Sequence, residues 1–230
     1  MRADDTQEAT LGQLVRGPRW AAEEQLRIAF ENVTAALAAS VLSAFVIGLL
    51  LWPVANNEGL IMWLGATSVL AISRLLLQQQ FDRRERSKTN FVQWKRSFIG
   101  SVFMAGCAWG ALPTFLFPSE SLIHQAYVAI VLSGIAAGAV TAYAPLPGAF
   151  PTFALPMLVP FGVQVYLTGH EQGPIVALLV AAFALSLLRS ARHSRGNVLD
   201  LLQMQMKNTN LARELHHRAT HDSLVNLINQ

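Results

Sequence analysis

The sequence predicts an all-α fold, a polytopic membrane protein with six transmembrane helices, both termini cytoplasmic, and a coiled-coil helix after the last span. Three observations predict it. Hydrophobic residues make up 53% of the 230 and charged residues only 13%, against about 25% charged in an ordinary soluble domain. The charges are gathered into short segments between long stretches that hold almost none, which is the pattern of repeated membrane crossing. The 17 Lys and Arg residues also fall at alternate ends of those stretches, as the positive-inside bias requires.

The first segment, residues 1–32, mixes acids with Arg2, Arg16, Arg19 and Arg27 ahead of any long apolar run. It is expected to be a cytoplasmic segment ending in an interfacial helix, with no cleavable signal peptide. Crossing the hydrocarbon core takes about 20 mainly apolar residues, and six segments approach that length: 33–54, 60–77, 97–117, 122–143, 152–167 and 174–188. Together, residues 33–188 form the expected membrane domain. Arg83, Arg84, Arg86, Lys88, Lys95 and Arg96 fill the loop between spans two and three, and Arg189, Arg192, Arg195, Lys207, Arg213 and Arg218 follow span six. The opposite loops, near Asn56, Ser119 and His170, hold no base and one acid each, Glu58, Glu120 and Glu171. The uncharged stretch 144–151, with Pro145, Pro147 and Pro151, fits either a cytoplasmic turn or part of a re-entrant hairpin.

Helices associate in lipid through close backbone approach at small residues and through polar contacts. Gly106 and Gly110 in span three, and Gly134 and Gly138 in span four, have the small-xxx-small spacing and are expected at helix packing faces. Pro156 and Pro160 are expected to kink span five. No Asp or Glu lies within the spans, which argues against ion-coupled transport and intramembrane catalysis. Arg74 is the one base inside a span and is expected to snorkel to the interface. Trp52, Trp63, Trp109 and Tyr166 are expected as interfacial belt anchors.

His124 and His170 are both expected on the outer side, where a pair of imidazoles is a candidate for binding a metal or sensing pH, although the sequence offers no third ligand beside them and no metal is assigned. Cys107 is the single cysteine, so neither an intrachain disulfide nor a thiolate cage forms within one chain. The basic residues lie beside apolar spans and not in an aromatic-interleaved patch, so no nucleic acid is expected. The expected partners are the bilayer, a small or lipophilic ligand, and a second copy of the chain. Outer loops this short leave no room for a soluble receptor domain.

Residues 189–220 form the expected linker, with Leu201, Met204, Leu211 and Leu215 at heptad a and d positions and Asn208 at an a position. A polar Asn there fixes register and favours a parallel dimer at a cost in stability. The final stretch, 221–230, follows. There Asp222, Leu224, Leu227 and Asn229 match the pattern D-x-L-T-G-L-x-N-R, whereas Val225, Asn226 and Gln230 depart from it. This run resembles the entry segment of GGDEF domains, which follows a signalling helix in diguanylate cyclases and GGDEF-EAL proteins.

The resemblance implies that the chain is the membrane-associated sensor region of a longer bacterial inner-membrane protein. In that family the input region governs how two GGDEF domains meet to join two GTP molecules into cyclic di-GMP. The chain itself has no GGDEF signature loop, phosphate-cradling glycine motif or magnesium-holding carboxylate pair, so neither cyclase activity nor a cofactor is expected of it. The adjacent His221 and Asp222 lack the further ligands of a metal or phosphorelay site. Two rival readings are a small transporter or channel lined by Ser101, Ser133, Thr141 and His124, and a passive membrane anchor.

Overall fold

A computed structural model describes residues 21–84 and 91–228. Helix α1 covers residues 21–31, α2 Val33–Leu51, α3 Asn57–Arg84, α4 Phe91–Phe115, α5 Leu122–Tyr143, α6 Ala149–Leu167 and α7 Gly173–Ile228. Turns join them, and no strand occurs among the described residues. With α1 and α2 taken together, six helices are long and apolar enough to cross a membrane. Each of the six expected spans has its helix.

The boundaries differ from expectation where local chemistry decides them. The helical ladder runs through Asn32, whose N–H donates to the Ile28 carbonyl at 3.1 Å and whose carbonyl accepts from Ala36 at 3.2 Å. The helix expected before residue 33 therefore continues into α2. Its Leu26, Ala29 and Phe30 are buried in the core, while Arg27 pairs with Glu24 and Glu31. α2 stops at Leu51, two residues before Pro53, which has no N–H to continue a ladder. α6 starts at Ala149, after Gly148 turns the chain with φ +84°. Pro151 then falls in the first turn, where its missing N–H has no intrahelical role. The stretch 144–151 thus holds a short turn, 144–148, between two helices that are each long enough to cross a membrane.

By its internal contacts the chain divides into two compact units, Met1–Arg195 and Gly196–Gln230. In the first, α4 and α6 make the closest approach. A Cβ at Gly106 would fall 2.4 Å from the Phe153 carbonyl oxygen, and one at Gly110 would fall 2.0 Å from that of Pro156. Pro160 has no N–H to offer the Pro156 carbonyl four residues earlier, so Gly110 sits against an oxygen whose helical donor is absent. Backbone approach of this kind replaces the hydrophobic driving force that lipid does not supply.

Trp63 and Trp109 lie in the core and not in an interfacial belt. They are 6% and 3% exposed and meet edge to face, with ring centroids 5.3 Å apart. Each indole N–H finds a partly buried partner: Trp63 donates to the Ala108 carbonyl at 2.6 Å, and Trp109 to Ser40 Oγ at 2.9 Å. These bonds tie α2, α3 and α4 together. Trp52 and Tyr166, at helix ends, are exposed as belt residues would be. In α7, Val180, Phe183, Ala184, Leu187 and Leu188 pack on the core at helical spacing, with Ala191 buried beyond them.

The second unit is the C-terminal part of α7. Helix continues to Ile228, past the expected end near residue 220, because neither Pro nor a helix-stopping cluster interrupts residues 189–228 and Gly196 alone is tolerated.

Candidate functional site

One end of the bundle is organised by rings from five helices. Phe30 of α1 stacks on Phe81 of α3, with centroids 4.1 Å apart, and meets Phe98 of α4 edge-on at 4.8 Å. Trp94 closes on Phe81 at 5.5 Å. Tyr143, the last residue of α5, bridges Phe98 at 6.3 Å and Phe153 of α6 at 5.2 Å. The Tyr143 ring is thus fixed by neighbours on two helices.

Arg74 of α3 reaches into this cluster. The sequence suggested that it would snorkel outward, but it is only 5% exposed, and its Nη2 donates to Tyr143 Oη at 2.9 Å. The guanidinium carbon stands 5.6 Å from the Tyr143 ring centroid, within cation–π range. Its Nε is buried with no hydrogen-bond partner, and no described carboxylate pairs with it. A phenol hydroxyl and a ring face offset only part of the several kcal/mol that desolvating a cation costs.

Arg74 and Tyr143 lie at one end of a groove of about 310 Å³ between α2 and α5. Its walls are mostly small: Ala35, Ala39 and Ser43 on α2, and Gly134, Gly138 and Ala142 on α5. A Cβ at Gly134 or Gly138 would meet nothing within 4 Å. These two glycines therefore border an open groove, while Gly106 and Gly110, with the same spacing, meet a neighbouring backbone. Two of the hydroxyls along the groove are already engaged, Ser40 Oγ by Trp109 and Thr141 Oγ1 by the Gly138 carbonyl at 2.9 Å.

The remaining candidates lie apart from this groove. His124 shares a hydrogen with Ser121 Oγ at 2.7 Å and meets the Tyr127 ring at 5.6 Å. His170 is exposed in the turn before α7, its carbonyl accepting from Gly173 N–H at 2.8 Å. Among the described residues no group of three or more His, Cys, Asp or Glu could hold a metal ion. Of the positions weighed as a conduction path, Thr141 alone lines the groove, and the Ser101 hydroxyl bonds back to the Phe98 carbonyl at 2.8 Å. Leu201, Met204, Asn208 and Leu211 are exposed on α7. For Leu215, Asp222, Leu224 and Leu227 the backbone alone is described, as part of α7, and Asn229 lies outside the described residues.

Sequence reasoning found Arg74 but misplaced its side chain, and it missed Tyr143. The available signal was a lone base in a span without carboxylates, which requires some other partner. Fold and site together define a helical bundle of membrane-spanning composition with a buried cation at the end of a small-residue groove. Comparison with protein-family models, with curated proteins and with solved structures returns no match.

Proposed function

We propose that this chain is the input and dimerisation module of a bacterial cyclic di-GMP signalling protein, passing a membrane-level stimulus through α7 to a GGDEF output domain. The observation that carries the reading is the helical continuity of α7 from Gly173 to Ile228. One element holds a span long and apolar enough for the bilayer, the heptad positions, and most of the run that resembles a GGDEF entry segment. Leu201, Met204 and Leu211 are 61%, 61% and 57% exposed in a single chain, which suits them to a seam with a second copy. Asn208 would set the register of that seam. In this reading the protein lies in the inner membrane with cytoplasmic termini, and the stimulus alters the rotation or register of the paired helices.

The test is cyclic di-GMP turnover by the full-length parent, compared with the same protein lacking residues 1–195 and with one carrying a single residue inserted after Gly196. One added residue rotates everything beyond it by about 100°. Altered turnover in both variants is the expected result. Unchanged turnover, with membrane location alone lost in the deletion, would reduce the bundle to an anchor. Solute flux through the reconstituted bundle would point instead to a channel.

A further inference from the structure

We infer that the groove between α2 and α5 holds one acyl chain of an anionic phospholipid from the surrounding bilayer, with the headgroup phosphate paired to Arg74. The charge argument comes first. Arg74 is nine-tenths buried, lines the groove, and keeps an unpartnered Nε beside the Nη2 that Tyr143 engages. No Asp or Glu in the expected spans is available to neutralise it. A guanidinium with free donors and no carboxylate is matched by a phosphate, which it binds through charge-assisted hydrogen bonds. Asn32, at the same end of the groove, adds an amide for the headgroup.

The shape argument selects a single chain. From Tyr143 back to Gly134 the groove follows α5 for about 13 Å at 1.5 Å per residue. Its volume of about 310 Å³ lies at the lower end of the range for ligand pockets. With Ser40 and Thr141 already engaged, its length is walled mostly by Ala, Gly, Ile135 and Phe153, which suits methylene groups and not a polar solute.

Access and depth point to the bilayer as the source. Ala35, Ala39, Gly134 and Gly138 are exposed at the rim. On α2 the rim continues at helical spacing into exposed Leu42, Val46 and Leu49, a face fit for hydrocarbon. Along α3, Arg74 lies about 25 Å from Asn57, near the far boundary of a core about 30 Å thick. A phosphate at the interface is within reach of its long side chain. A helix from a second copy would fill the groove but leave the charge of Arg74 unmatched. The inference is independent of the signalling proposal, since binding is read out without any output domain.

The test uses the full chain in phosphatidylcholine nanodiscs containing a minor fraction of phosphatidylglycerol, with lipid retained per chain measured by native mass spectrometry. The wild-type chain is expected to retain phosphatidylglycerol selectively. Arg74→Gln should weaken that retention about tenfold or more, the scale of a lost hydrogen bond to a charged group. Gly138→Leu blocks the groove while keeping the charge, and its side chain starts in open space, so it tests the proposal even if Arg74→Gln fails to fold. It should lower retention similarly, whereas Arg83→Gln, at an exposed base, should not. Equal retention by wild type and both groove variants would overturn the inference. So would displacement by inorganic phosphate alone, exclusive binding of added oleate, or a Gly138→Leu effect confined to oligomeric state.

Discussion

The contrast between two glycine pairs of identical spacing gives the sharpest test of the packing. Gly110→Ala places a methyl 2.0 Å from the Pro156 carbonyl oxygen, against ordinary van der Waals contact that begins at 3.4 Å. Relief requires a separation larger by about 1.4 Å, and the obstacle is backbone flanked by prolines, not a side chain that can rotate. The side-chain bond from Gln164 to the Thr114 carbonyl, 3.2 Å long and one turn away, would be stretched with it. Overpacking of this kind costs about 1–3 kcal/mol, from which better helix propensity returns up to about 1 kcal/mol. Gly138→Ala carries the same propensity gain with nothing within 4 Å, so it should be neutral or stabilising by up to about 1 kcal/mol. Cys107, the single cysteine, lies between Gly106 and Gly110 on α4 and is partly buried. Its reaction with a thiol-reactive fluorophore during denaturation in mixed micelles therefore reports the unfolding of the bundle around α4. Equal stability changes for Gly110→Ala and Gly138→Ala would refute the assignment of α4–α6 as the close-packed pair.

Tyr143→Phe keeps the ring contacts but removes the acceptor for Arg74 Nη2, and should destabilise the bundle by about 1–3 kcal/mol in the same unfolding assay. Ser40→Ala deprives the Trp109 indole of its partner. It should cost about 1 kcal/mol, because the donor left behind is buried, and shift the tryptophan emission, whereas Ser68→Ala, at an exposed hydroxyl bonded back to its own helix, should do neither.

The number of helices was legible because length and charge alternation are one-dimensional properties of the chain. Direction of approach was not. Most of the spans are apolar on all sides, so no periodicity says which side of α3 holds Arg74 or which sides carry Trp63 and Trp109. An interfacial tryptophan and a buried one have the same sequence signature unless a partner such as Ala108 or Ser40 is known. The spacing of Gly106 and Gly110 equals that of Gly134 and Gly138, yet one pair meets a carbonyl and the other an open groove. The difference depends on Pro156 and Pro160, some 46–54 residues further along the chain than the first pair. The end of α7 was unreadable for another reason: a change from apolar to polar composition marks a change of solvent, and a helix passes through it unless the backbone is interrupted.

The buried arginine sets stability against binding, and the two can be separated. A structural ion is held through a partner, and breaking a satisfied pair is costly, but replacing a whole buried ion pair by apolar side chains of similar volume is often neutral or stabilising by about 1–4 kcal/mol, and a buried charge that lacks its partner has still less attraction to lose. Arg74 has one neutral hydrogen-bond acceptor and an orphaned Nε. If its role were to hold Tyr143 in place, Arg74→Met would loosen the aromatic cluster and lower stability in any lipid. If the guanidinium is held there for an anionic headgroup, Arg74→Met should match or exceed the wild type in pure phosphatidylcholine. Adding phosphatidylglycerol should then stabilise the wild type alone, by the linkage between ligand binding and folding. A loss of stability in Arg74→Met that is equal with and without the anionic lipid would make the arginine a structural element of the α3–α5 contact and remove the groove's claim to a ligand.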